Sequence, residues 1–131
     1  MLFANKEHQD FYIEQTAFLP QDRYHQSLVY TLGICPDTRR NFQSLFVARD
    51  GSINPEAINA AWQTGGSLKV TRLAFQLFTD GAPTAYPDNA PPDIDECKKY
   101  CVSDIFACGY APYFVEAIRL RYPEYLKTEK E

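Results

Sequence analysis

Positive charge is what this chain most plainly lacks. Its 131 residues carry 13 Lys and Arg against 17 Asp and Glu, a formal net charge of −4. Binding to nucleic acid without sequence preference needs a surplus of cations to neutralise phosphates, so direct contact with DNA or RNA is not expected. Long apolar runs are missing as well: none approaches the ~20 residues of a membrane-spanning helix. Residues 1–8 reach Lys6, Glu7 and His8 without an apolar signal core. The expectation is a cytoplasmic protein with no membrane contact, whose four cysteines stay as thiols.

Catalytic signatures are equally sparse. There is no phosphate loop, no H-E-x-x-H, no dinucleotide fingerprint and no nucleophile elbow. The two histidines, His8 and His25, fall on separate predicted helices, and no pair of carboxylates can be set across a cleft. The turn at Asp50-Gly51 has no carboxylates where a calcium loop needs them. No catalytic residue, metal or cofactor is assigned.

Aromatic residues, by contrast, are plentiful. Nine Phe, nine Tyr and one Trp make up 15% of a chain that is 45% hydrophobic, enough to fill one core. The patterning predicts an all-α fold: a compact single domain, 1–131, of six or seven short helices around a central buried helix at about 67–80. In that helix Ser67 is expected to cap the start and Gly81 to end it in a left-handed turn. Leu68, Val70, Leu73, Ala74, Phe75, Leu77 and Phe78 cover most of its circumference, and Lys69, Arg72 and Gln76 form one polar stripe.

Around this post, Asn5 to about Phe18 reads as a helix with Phe11, Tyr12, Gln15 and Phe18 on one face. A second helix follows, capped by Asp22 and ended by Gly33; Pro36 opens a third. No convincing strand is expected; residues 46–48 and 52–53 about Asp50-Gly51 offer at most a tiny hairpin, too short to matter alone. Asn54-Pro55 starts a helix to about Trp62, and Gln63-Thr64-Gly65-Gly66 reads as a flexible joint. Residues 82–92 form a Pro-rich surface loop, and 126–131 a frayed tail. Short helices are expected at about 93–101 and from Ser103. A last one opens at Pro112 and buries Phe114, Val115, Ile118 and Tyr122.

The candidate binding residues are Trp62 beside the joint, Gly65, Gly66, Ser67, Lys69 and Arg72 at the head of the central helix, and Tyr86, Tyr110 and Tyr113 among the aromatics. Free amides and a helix dipole at the Gly-Gly-Ser end favour an anion; Trp and Tyr favour a protein partner. Cys97, Cys101 and Cys108 lack the second ligand pair of a zinc site and read first as apolar thiols.

The strings Tyr30-Thr31-Leu32-Gly33-Ile34-Cys35-Pro36-Asp37-Thr38-Arg39-Arg40-Asn41-Phe42, Ala61-Trp62-Gln63-Thr64-Gly65-Gly66-Ser67, residues 72–81, Ser103-Asp104-Ile105-Phe106 and Tyr110-Ala111-Pro112-Tyr113-Phe114 are distinctive as a set. Together they resemble a domain of unknown function found in small Firmicutes proteins associated with phages and mobile elements. The resemblance spans residues 7–125 and assigns no roles to individual positions. It implies a bacterial cytoplasm and a mobile-element setting. In that setting the expectation is a small acidic, non-enzymatic interaction protein that binds a host defence protein, such as a CRISPR effector. The alternative is a small ligand- or metal-binding protein or enzyme, using the Cys/His set or the Gly65-Gly66-Ser67 helix end.

Overall fold

The computed structural model describes residues 1–85 and 94–126. Local signals start most of its helices. Asn5 caps α1 (Lys6–Thr16) by accepting the His8 N–H, and Asp22 caps α2 (Arg23–Ile34) by accepting the His25 N–H. Pro36 occupies the first turn of α3 (Pro36–Arg40), where its missing N–H costs no hydrogen bond. After α4 (Phe42–Leu45) the short hairpin does form, with β1 (Phe46–Val47) antiparallel to β2 (Ser52–Ile53) and Phe46 opposite Ile53. Gly51 supplies the positive φ, 64°, that turns it. Asn54-Pro55 starts only a 3₁₀ turn, Pro55–Asn59, which stops short of Trp62. Then come α5 (Gly65–Thr79), α6 (Ile94–Lys98), α7 (Val102–Ile105), α8 (Ala111–Arg121) and a 3₁₀ turn, Pro123–Tyr125. The protein is thus mostly helical, with eight α-helices among the described residues.

Two helices share the centre rather than one. α5 is buried as expected, from Val70 to Phe75 without a break. But α2 is buried continuously from Ser27 to Ile34 and packs against α1, α5 and α8. Its hydroxyls make this possible. Thr31 Oγ1 donates to the Ser27 carbonyl at 2.6 Å and Ser27 Oγ to the Tyr24 carbonyl, so no polar atom on that face needs water.

Gly33 does not terminate α2. It lies within the helix, at its contact with α1. A Cβ there would sit 2.7 Å from Phe11 Cδ1 and 2.9 Å from His8 Cδ2, distances no real Cβ tolerates. Glycine is needed for close approach, not for a turn. Gly33→Ala gains helix propensity of about 0.5–1 kcal/mol, but it overpacks two buried rings at a cost of ~1–3 kcal/mol. Chemical denaturation is expected to show a net loss of about 1–2 kcal/mol.

Both ends of α5 differ from expectation. The cap is Thr64, not Ser67. Thr64 Oγ1 accepts the Ser67 N–H at 3.1 Å and Ser67 Oγ accepts the Thr64 N–H at 2.7 Å, a reciprocal capping box. Gly65 and Gly66 therefore form the first helical turn rather than a joint. At the other end the left-handed residue is Asp80, φ 58°, and not Gly81. The last helix also departs in one position: Val115 faces solvent, while Phe114 and Ala117 are fully buried.

The first residues are strapped across the bundle. The Leu2 N–H donates to Glu116 Oε2 at 2.6 Å, and the Tyr30 hydroxyl donates to the Leu2 carbonyl. The Ala4 N–H donates to His8 Nδ1 at 3.1 Å, and His8 Nε2 lies 2.7 Å from the Tyr30 carbonyl. Nε2 must therefore carry the imidazole proton and Nδ1 must be bare. The Phe3 ring packs against those of His8, Tyr12 and Tyr30.

Candidate functional site

The polar stripe of α5 is directed into the protein. Lys69 Nζ donates to the Asp104 carbonyl and, at 3.2 Å, to its carboxylate. Arg72, only 6% exposed, donates to Glu96 Oε1 at 2.8 Å. Burial pushes the Glu96 carboxyl up, but hydrogen bonds from Lys99 and Arg72, with their charges, outweigh it and hold the carboxyl below the usual range. These two cations therefore fasten α5 to α6 and α7. The side chain of Gln76, the third member of the stripe, has no hydrogen bond among the described residues.

Of the other candidates, Gly66 and Tyr110 come together. The Tyr110 ring stands 3.4 Å from where a Gly66 Cβ would be. A hydrogen bond to the Cys35 thiol, then burial, pushes the Tyr110 phenol up to about 12. Gly65 faces open space. Trp62, Tyr110 and Tyr113 are half-buried against the core. Tyr86 lies outside the described residues, as do residues 86–92 of the Pro-rich loop and 127–131 of the tail.

The Cys/His set does not assemble. His25 pairs with its own cap, Asp22, at 2.9 Å, near the start of α2, and Cys35 follows the end of that helix, roughly 15 Å away at the α-helical rise. His8 is enclosed by α1 and α2. All four cysteines are free; Cys35 is buried, and Cys97 and Cys101 are exposed. No group of three or more His, Cys, Asp or Glu is close enough to hold a metal among the described residues.

What α5 does present is a cleft against α7 and α8. Leu73, Leu77, Ile105, Phe106 and Ile118 give it an apolar wall, and it encloses about 420 Å³. Gln76 lies in it with its carboxamide unengaged among the described residues, and Val102 stands at 72% exposure. Tyr100 and Tyr122 also face the cleft, but their hydroxyls are committed, to the Pro83 carbonyl and to Asp80 respectively. Burial pushes both phenols up, so they remain neutral donors.

Arg121 ties the C-terminal end of α5 to the end of α8. Its Nε donates to the Leu77 carbonyl at 3.0 Å, and its Nη2 reaches both Asp80 oxygens at 3.0 and 3.2 Å. The guanidinium stacks on the rings of Tyr24 and Tyr122.

A family model matches residues 1–131 from end to end. The chain belongs to DUF6075, a family of unknown function. No curated protein and no solved structure matches it significantly. The cleft of this DUF6075 protein is not legible in the sequence because α5 meets in it two helices, α7 and α8, that follow more than twenty residues later. Spacing groups Gln76 with Lys69 and Arg72, but among the described residues its side chain is bonded to neither α6 nor α7. No helix among the described residues is long and apolar enough to cross a membrane.

Proposed function

We propose that this DUF6075 protein is a non-enzymatic interaction protein that takes a partner polypeptide into the cleft between α5, α7 and α8. The observation that carries this reading is the pairing of an open apolar wall with one unengaged carboxamide. A cleft of about 420 Å³ accommodates a few apolar side chains. Gln76 offers a donor and an acceptor together, the complement of a peptide unit in the partner's backbone. Among the described residues no cation lines the cleft, and Arg72 and Arg121 are turned to Glu96, Asp80 and the Leu77 carbonyl, which favours an apolar occupant over an anion.

The resemblance to small proteins of phages and mobile elements supplies a class of partner. The proposed protein acts in the bacterial cytoplasm and blocks a host defence protein, with CRISPR effectors the first to be tried. Its net negative charge suits a basic, nucleic-acid-handling target.

Purified protein measured against a panel of CRISPR effectors, together with a plaque assay for interference, tests this directly. One effector is expected to bind. Ile118→Arg, placed in the cleft wall, and Gln76→Ala are expected to weaken binding at least about tenfold, the effect of losing a central anchor. Circular dichroism should remain that of the parent. Absence of binding to every effector with no change in plaquing, or binding that ignores both substitutions, would overturn the reading.

A further inference from the structure

A second groove runs between the end of α1 and the corner formed by α4 and β1. It consists of two adjoining depressions that share Gln15, Phe42 and Gln43. One, of about 470 Å³, is apolar and is lined by Phe18, Leu19, Phe46 and Val47, with Arg49 also facing it. The other, of about 450 Å³, is polar and is lined by Arg39, Arg40, Asn41 and Ser44. Neither half contains a carboxylate. In a chain with net charge −4 and only 13 cations, three arginines along one groove are a local reversal of sign.

The arginines are only partly committed. Arg39 donates to the Gly33 carbonyl at 2.7 Å and has no carboxylate partner among the described residues. Arg49, 86% exposed, touches the adjacent Asp50 at 3.4 Å, a pair worth little in water. Arg40 is paired with Asp37 on the surface. At the apolar end, Phe18 is 86% exposed, the most exposed large apolar side chain described. The helix explains this: α1 stops at Thr16, so Phe18 falls past the last turn and leaves the face that buries Phe11.

We propose that this groove docks a segment of a partner protein in which apolar side chains are flanked by Asp or Glu. An anchor enters beside Phe18 and Phe46, and the neighbouring carboxylates meet the guanidinium forks, which match them in charge and shape. The proposal stands independently of the cleft, since the two share no residue.

Fluorescence anisotropy with two series of short labelled peptides provides the test. Both carry the same Leu and Phe anchors; one flanks them with Asp and Glu, the other with Lys. The acidic series is expected to bind, and more weakly as salt is raised. Phe18→Ser and Arg49→Glu are each expected to weaken it at least about tenfold, with unchanged Tm because both side chains are exposed. Equal binding of the Lys series, binding by neither series, or indifference to both substitutions would overturn the proposal. So would a concentration-dependent dimer abolished by Phe18→Ser, which would assign the face to a second copy of this chain.

Discussion

Arg121→Ala is expected to lower the stability of the protein by about 3 kcal/mol and its Tm by roughly 10 °C. The effect comes from several losses at one point. The buried guanidinium caps the α5 carbonyl of Leu77, and a hydrogen bond from a charged donor is worth about 1.5–3 kcal/mol. It stacks on Tyr24 at 3.8 Å and Tyr122 at 4.5 Å, contacts of ~0.5–2 kcal/mol each. The ion pair with Asp80 adds less, because that carboxylate is about half exposed and can return to water. Asp80 also holds a left-handed backbone that its side-chain partners enforce, so losing Arg121 loosens the end of α5. Urea denaturation of the wild type, Arg121→Ala and Arg121→Lys checks this. Lys should recover only a minor part, lacking both the fork and the planar stacking surface. A loss below about 1 kcal/mol for Ala would show that solvent replaces these contacts.

Acid is expected to weaken the fold through His8. Burial is the main reason its pKa falls from 6.5 to about 4; the Tyr30 carbonyl bond works upward and the Arg39 charge downward. Above 6.5 neither folded nor unfolded protein protonates this ring, and its contribution to stability is complete. Between 6.5 and about 4 the unfolded chain binds the proton and the folded one does not. Stability then falls with pH, by at most about 1.4 kcal/mol per pH unit. Below about 4 this residue adds no further slope. Protonation also puts a hydrogen on Nδ1, where the Ala4 N–H already points, so the strap of residues 1–4 should loosen first. Urea midpoints across this range, with Ala4 amide exchange by NMR, check the expectation. Against them His8→Asn should flatten the slope between pH 6.5 and 4. A slope unchanged in that variant would assign acid sensitivity to the carboxylates instead.

The parts of the fold written in local chemistry were readable from sequence. Asn5, Asp22 and Pro36 begin helices because a side-chain oxygen or a missing N–H suits a helix start wherever it stands. The turn at Asp50-Gly51 is legible for the same reason, though not the strands it joins. Most of what failed depends on distant partners. Gly33 looks like a stop signal, yet its lack of a side chain is used by Phe11 and His8. Gly81 looks like a helix end, yet Asp80 takes the left-handed position, held by Tyr24, Arg121 and Tyr122. Thr64 outcompetes Ser67 as a cap because the two residues satisfy each other's amides, a choice that propensity alone leaves open. For the candidate site, the spacing of Lys69, Arg72 and Gln76 was legible, but its meaning was set by Asp104 and Glu96 across the bundle.

The strap at the chain's beginning also constrains how the protein is made. Leu2 is fixed by Glu116, 114 residues later, and α2 packs against α8 as well as α5. At translation speeds of roughly 5–20 residues per second that separation is a delay on the order of ten seconds. Once α2 is made, its apolar run waits for α5 and then for α8, the helices that cover it in the finished fold. Slowing synthesis would lengthen that wait without changing the finished protein.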